Sequence, residues 1–325
     1  MKKCTRRGFA LTLLSGRAWA ATRPANAGKG VLIGVEGWSF RDRPLEAAIR
    51  ATVDAGLDAM ELGWNHVEPS GLSRTDMRAW YLSVPLDNFR RIRDRFQAAG
   101  VRIVGYSATL RKDFTDAEIE KTFQMASALG VDTITTSTNV SMAARLDEYA
   151  NKHRMRVGFH NHSRIRPDEF TTPQDFDAAL KGRSRYIGIN LDVGHFWAAG
   201  FDPVAFTRQH HARIWSVHLK DRKRNQDPDF PFGQGDTPLR EFLLLVQRKK
   251  YGIPCFIEWE ITEGDPVAAV RRCAEYCRGV LSGTVERRGG GLVLPMFANL
   301  KSVFLAIPCA QMPMAAAPNP ITADE

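Results

Sequence analysis

Asp54-Ala55-Gly56-Leu57-Asp58-Ala59-Met60, Ala98-Ala99-Gly100-Val101-Arg102-Ile103-Val104 and Ala128-Leu129-Gly130-Val131-Asp132-Thr133-Ile134 repeat one event. Each time a helical pattern runs into glycine and passes at once into a short apolar strand. Glycine accepts the left-handed backbone that ends a helix and lets the chain turn back onto a sheet. Extending the pattern in both directions predicts strands near 31–35, 57–61, 101–105, 131–135, 155–160, 186–191, 213–219 and 254–258. Amphipathic helices are expected near 43–55, 85–98, 115–128, 141–152, 173–181, 202–209, 238–249 and 265–280. Pro85, and Thr172 before Pro173, supply helix-start signals.

Eight strands alternating with eight helices over about 250 residues predict an α/β fold, a single (β/α)8 TIM barrel spanning residues 31–282. An open doubly wound sheet is the alternative, but no GxGxxG or Walker loop follows an early strand. Gly233-Gln234-Gly235-Asp236 is a late, lone glycine turn and reads as a loop.

The 325-residue chain is 25% charged and 44% hydrophobic, which excludes the disordered and collagenous classes. Its apolar runs are short, or broken by Pro and Lys, against the roughly 20 residues a membrane span needs, so no stable membrane anchor is expected. The formal charge of +9 suggests nucleic acid until its location is considered. Residues 1–20 carry Lys2, Lys3, Arg6, Arg7 and Arg17 and no acid, so 9 − 5 = +4 remains for the rest. That supplies no strong field for a phosphate backbone.

The basic start also reads as an address. Thr5-Arg6-Arg7-Gly8-Phe9, a weakly apolar stretch Ala10 to Leu14, and small-residue sites at Ala18-Trp19-Ala20 or Ala25-Asn26-Ala27 resemble a twin-arginine export signal over residues 1–27. Twin-arginine export machinery is then an expected partner, and the periplasm or the extracellular space the expected location. Cys4 precedes the apolar stretch, which excludes a lipoprotein cysteine. Cys255, Cys273, Cys277 and Cys309 form no pairing frame and no CxxC zinc knuckle, so no structural disulfide is expected. Residues 283–325, with Gly289-Gly290-Gly291 and a Met/Ala/Pro end, read as an irregular tail with no assigned role.

A barrel keeps its chemistry at the carboxyl ends of its strands. Strands five to eight end in Phe159-His160-Asn161-His162, Asp192-Val193-Gly194-His195, His218-Leu219-Lys220-Asp221 and Glu258-Trp259-Glu260. His160, Asp192, His218 and Glu258 lie 32, 26 and 40 residues apart, about one βα unit each, which places them around one rim. Singly, each is as well read as a buried histidine or a helix cap. Four in succession point to one divalent cation, and two imidazoles with two carboxylates suit Mn2+, Co2+, Fe2+ or Zn2+ rather than Ca2+.

These strand ends resemble the xylose-isomerase-like barrel superfamily of sugar isomerases and epimerases, which also holds hydroxypyruvate isomerase, D-tagatose 3-epimerase, inosose dehydratase and endonuclease IV. The likeness covers residues from about 31 to 282. It implies that His160, Asp192, His218 and Glu258 hold the ion, with the Asp192-Val-Gly-His195 and His218-Leu-Lys-Asp221 pieces its most specific part. One departure stands out: the epimerases carry Glu on strand five as well as strand eight, whereas here it is His160. The His-x-His ending is closer to the inosose-dehydratase side.

The expected chemistry is loss of a C–H proton beside a sugar carbonyl, with the resulting enediolate stabilised by the metal. Glu258 is the expected base, and Glu260, on the same strand face, is the runner-up. His162, His195 and Lys220 are candidates for the second proton carrier. Lys220 reads equally as an ion pair with Asp192 or Asp221, and His195 as an orienter of the ligands. Glu36 with Trp38, Glu61 with Trp64, and Tyr106 are expected to form the sugar pocket on the earlier strands. The resulting expectation is a metal-dependent isomerase or epimerase of a keto or aldo sugar. The alternatives are a dehydratase or lyase of a keto-sugar or keto-inositol, and a sugar-binding barrel without catalysis. A nuclease needs further histidines on early strands, and Val104-Gly105-Tyr106-Ser107 offers none.

Overall fold

A computed structural model describes residues 27–28, 30–225 and 228–285 of the chain. The expected signal therefore lies outside the described residues but for Ala27, and so does the expected tail beyond Val285.

Eight parallel strands make the centre: β1 Val31–Glu36, β2 Ala59–Gly63, β3 Arg102–Ser107, β4 Thr133–Thr136, β5 Arg156–His160, β6 Ile187–Asp192, β7 Ile214–Leu219 and β8 Cys255–Ile257. Each pairs with the next, and β8 pairs back onto β1 through Cys255 and Ile33, closing the barrel. All eight expected strands are present. The second is displaced toward Gly63, because Leu57 and Asp58 complete the turn out of the preceding helix.

Among the described residues ten α-helices surround the strands rather than eight: α1 Leu45–Asp54, α2 Arg74–Ser83, α3 Leu86–Ala98, α4 Asp116–Leu129, α5 Ala143–His153, α6 Pro173–Leu180, α7 Val193–Ala198, α8 Pro203–His210, α9 Leu239–Lys249 and α10 Pro266–Ser282. The additional two are α2, which buries only Tyr81, and the six-residue α7. Neither carries an apolar stripe long enough to show as a period. Local chemistry starts and stops the others. Thr115 with Glu118, and Thr172 with Asp175, form reciprocal capping boxes at α4 and α6. Gly130 ends α4 in the left-handed region at φ 80°.

The outer layer of the barrel is apolar, as where Phe159 of β5 stacks on Phe170, Phe170 meets Phe176 of α6, and Phe176 and Phe196 of α7 both meet Phe206 of α8. Inside, the carboxyl end of the barrel is polar, with Glu61, Thr135, Asn190 and Ser216 all buried. Polar groups buried together need partners, and here they find one another beneath the rim. Cys255, Cys273 and Cys277 are buried free thiols.

Candidate metal centre and active-site cleft

β5, β6, β7 and β8 bring His160, Asp192, His218 and Glu258 together, with one potential ligand atom from each lying within 4.8 Å of the others. All four are buried. Parallel pairing sets this arrangement: His160 stands opposite Asn190, and Asp192 opposite His218, in adjoining strands.

Each ligand is aimed by a neighbour. His160 Nδ1 lies 2.7 Å from Asn190 Oδ1, and Asn190 Nδ2 donates in turn to Ser216 Oγ at 2.7 Å. The amide oxygen can only accept, so Nδ1 carries the hydrogen and Nε2 is left as the donor to a metal. Burial, followed by the charge of His218, pushes the His160 pKa well below the ordinary imidazole value, which keeps the ring neutral.

Asp192 uses Oδ1 to accept from the His195 backbone N–H at 2.6 Å, the cap that starts α7. Asn161 braces the same residue through two hydrogen bonds to its backbone, at 3.0 and 3.1 Å. Asp192 Oδ2 is buried without any hydrogen-bond partner. The Lys220 ammonium lies 3.5 Å from that oxygen, an ion pair without a hydrogen bond, and burial raises the carboxyl pKa to about 7 even against this charge.

His218 lies between two carboxylates, with Nδ1 2.8 Å from Glu258 Oε2 and Nε2 2.8 Å from Glu61 Oε1. Burial alone would lower its pKa, but Glu61 and Glu258 hold it well above the usual imidazole value. Glu258 is shifted the opposite way: burial would raise it, and the Lys220 and His218 charges overcome that and hold it ionised.

This donor set fits a divalent cation. An unsatisfied carboxylate oxygen, a neutral imidazole with a free Nε2, and a second imidazole and carboxylate within one coordination sphere's width are what such an ion requires. His160, Asp192, His218 and Glu258 would hold it.

The residues expected to act on substrate are distributed differently. His162, His195, Trp64 and Glu260 line a cleft of about 230 Å3 above the cluster, together with Glu36 and Trp38. Trp38 and Trp64 face each other at 5.7 Å between ring centroids. Glu36 is a buried carboxyl that accepts from the Trp38 N–H at 2.6 Å, and burial followed by the Glu258 charge raises its pKa well above the ordinary value.

Two expectations need correction, and a third narrows to one of its two readings. Glu61 is fully buried beneath the cluster, where Oε1 accepts from Thr135 Oγ1 at 2.7 Å as well as meeting His218, so it orients a ligand instead of touching sugar. Tyr106 is also fully buried, and its hydroxyl lies 3.3 Å from Glu68, away from the cleft. Its strand position had promised a rim, but the side chain packs outward with Tyr81. His195 is wedged between two cations, with Arg222 Nη1 2.7 Å from Nδ1 and Lys220 Nζ 3.0 Å from Nε2. Burial, then the Lys220 charge, drives its pKa well below the imidazole range, so it is a poor proton acceptor and serves to position its neighbours.

Lys220 is buried too, with Nζ 2.8 Å from Glu260, 3.2 Å from Glu258 and 3.5 Å from Asp192. Burial lowers an ammonium pKa, but these carboxylates raise it well above the ordinary value. Lys220 thus pairs with Asp192, one of the partners considered from sequence, and not with Asp221. The carboxylate of Asp221 accepts instead from the backbone of Gly233, Gly235 and Thr237.

Asn190, Thr135, Asn65 and Arg222 were not found from sequence. Asn190 had a usable signal, since it lies two residues before Asp192 and so on the same strand face. Arg222 had none, because only the folded loop returns it to His195.

Known proteins were compared with the chain. Residues 49–279 match the family model described as xylose isomerase-like TIM barrel. No curated protein matches the chain. Among solved structures, the IOLI protein with a bound zinc atom superposes at a TM-score of 0.59 with 16% identity, over 78% of this chain and 99% of that one. A "probable 3-DHS dehydratase AsbF" of Bacillus anthracis gives 0.56 with 16% identity, over 79% and 100%. A sugar phosphate isomerase/epimerase of Parabacteroides distasonis gives 0.53 with 17% identity, over 80% and 97%. At such identities these likenesses speak for the fold.

Proposed function

Because the chain belongs to the xylose isomerase-like TIM barrel family, we propose that it is a divalent-metal-dependent isomerase or epimerase of a keto or aldo sugar. The observation that carries this reading is the His160, Asp192, His218 and Glu258 cluster, closed to 4.8 Å and with Asp192 Oδ2 unsatisfied. The zinc held by the IOLI protein supports a metal here, and its identity is open to Mn2+, Co2+, Fe2+ or Zn2+. Such an ion supplies charge that polarises a carbonyl and offsets negative charge developing on its oxygen.

The rest falls to the chain. Glu258, kept ionised by Lys220 and His218, accepts the proton from the carbon beside the carbonyl. Glu260 meets the same ammonium at 2.8 Å and lines the same cleft, which makes it the alternative base. His162 returns a proton, being an exposed imidazole on the cleft wall, 5.1 Å from the His160 ring. Lys220 and His195 hold the carboxylates in place. Trp38 and Trp64 present flat faces to sugar C–H groups.

One observation favours a second reading, a dehydratase of a keto-sugar or keto-inositol. No carboxylate reaches the cleft from β5, where His160 stands, so a symmetric exchange with Glu258 has no partner on that strand. In that reaction Glu258 takes the C–H proton, a C=C bond forms, and the β-hydroxyl leaves as water with a proton from His162. From the twin-arginine start alone, we also propose that the enzyme meets its substrate outside the cytoplasm.

Elemental analysis of the isolated protein, followed by proton NMR in D2O with a panel of keto-sugars, tests the reading. Solvent deuterium entering a sugar of unchanged formula marks an isomerase, and loss of water marks the dehydratase. A metal-loaded protein that binds sugar without exchanging any proton overturns both and leaves a sugar-binding barrel.

A further inference from the structure

Beyond His162 the reactive cleft opens into a second hollow of about 440 Å3, and the two share Ser137, His162 and His195. Their walls are opposite in character. Over the metal-ligand cluster stand the carboxyls of Glu36, Glu258 and Glu260 with the Trp38 and Trp64 faces. The second hollow is walled by Arg164 and Arg166, with one carboxylate, Glu169, and with Thr138, Asn139 and Ser163 beside them.

Several of the protein's surface arginines are neutralised by a carboxylate. Arg90 pairs with Asp87, Arg145 with Asp116, and Arg43 with Asp42. Arg164 has no ion pair or side-chain hydrogen bond among the described residues, and Arg166 meets only Glu169, at 3.7 Å. Solvated arginines on an unbraced loop would be unremarkable. This loop, however, is clamped. The His162 N–H donates to Phe170 O at 3.0 Å across its neck, and Thr171 Oγ1 donates to Arg164 O at 3.0 Å. The adjoining Asp168 sits at φ 61°, a left-handed position unusual for a side-chain-bearing residue. It is held there by the Val140 N–H on its carbonyl at 3.1 Å and the Ser141 N–H on its carboxylate at 2.8 Å. Bracing fixes where the arginines start, which lowers the entropy lost when they close on a ligand.

We propose that this second hollow is an anion subsite, and that the substrate is therefore an acidic sugar. Its ionised group, a carboxylate or a phosphate monoester, rests against Arg164 and Arg166 while its carbonyl end lies over His160, Asp192, His218 and Glu258. The guanidinium fork matches the paired oxygens of either anion, and Ser137, Thr138, Asn139 and Ser163 add neutral polar groups around it. Polarity also sets direction. The arginines at one end of the cleft attract the ionised group, which favours one orientation of the sugar. The substrate class rests on the sugar reading above, whereas the anion subsite does not.

The test compares D-fructose, D-fructose 6-phosphate and D-tagaturonate by calorimetric titration of the metal-loaded full chain. The parent protein is expected to bind at least one acidic sugar about tenfold or more tightly than fructose, consistent with one or two charge-assisted contacts. Which acid is preferred separates phosphate from carboxylate. The double variant Arg164→Ala/Arg166→Ala should lose that ratio, Arg164→Lys/Arg166→Lys should recover part of it, and Arg90→Ala on α3 should keep it. Equal affinity for the three sugars, or a ratio unchanged in the double alanine variant, overturns the proposal. Inorganic phosphate titrated into the metal-free chain, followed by phosphorus NMR line width, reads the subsite without any sugar. Phosphate binding that weakens about tenfold in the double variant, alongside no sugar binding by loaded protein, would sink the sugar reading and leave the subsite standing. Phosphate binding indifferent to both arginines sinks the subsite itself.

Discussion

The two halves of the barrel rim are built to one backbone plan and do different work. Strands β5 to β8 end in His160, Asp192, His218 and Glu258, which converge with ligand atoms within 4.8 Å. Strands β1 to β4 carry Glu36, Glu61, Ser107 and Thr136 at or near their carboxyl ends, and only some of these face the cleft. Glu61, with Thr135 beside it on β4, reaches under the centre to hold His218 from behind. A charged strand end is thus not enough to make a ligand. What separates Glu61 from Glu258 is which nitrogen of one shared imidazole each carboxylate meets.

The largest effect should come from the converging half. Asp192→Ala removes the one carboxylate oxygen left unsatisfied in the cluster. Metal affinity should then fall by about 1,000-fold, the several kcal/mol a direct ligand contributes, as measured by metal titration against a competing chelator. Glu258→Gln should abolish deuterium exchange in D2O; turnover unchanged from the parent would remove Glu258 from the mechanism.

Glu61→Gln probes the supporting half. The amide keeps the shape but loses the charge behind His218, so metal affinity should drop about 10- to 100-fold with thermal unfolding little changed. A loss as large as that of Asp192→Ala would erase the distinction between the halves.

Proton competition acts on the converging half alone. The Asp192 carboxyl has a pKa raised to about 7 by burial, and a metal must displace its proton. His218, whose proton Glu61 and Glu258 retain, must give one up as well, so affinity should rise with pH throughout and fall at least tenfold per unit as pH drops through and below about 7. A profile flat between pH 5 and 8 would take Asp192 out of the ligand set.

The smallest effect lies in the first half. Trp64→Ala should weaken sugar binding about fivefold, within the 0.5–1.5 kcal/mol of an aromatic face. Tyr106→Phe should leave it within about twofold, because Tyr106 is fully buried. The reverse order in a titration would place the sugar on the wrong side of β3.

Much of this was legible from the residues. The Gly56, Gly100 and Gly130 punctuation marks the ends of α1, α3 and α4, and all three glycines take positive φ. Those signals act within a few residues, so a sequence displays them directly. The four ligands were legible for a related reason: in a closed parallel barrel every strand end arrives at the same rim, and spacing along the chain becomes position around a circle. Helices α2 and α7 were not legible, because one buries a single residue and the other is only a turn capped by Asp192. The inward or outward turn of Glu61, Tyr106 and His195 was likewise hidden. Each is decided by a partner tens of residues away, such as His218 for Glu61 and Arg222 for His195.

The sequence by itself therefore determined the barrel, the rim that carries chemistry, and the four residues able to grip a cation, since local periodicity and strand count are enough for these. Only the tertiary structure decided which oxygens and nitrogens stay free, which charges neutralise one another around Lys220, and where Arg164 and Arg166 lie. Hydrogen-bond partnership and burial belong to pairs of residues brought together by folding, and no stretch of chain contains them alone.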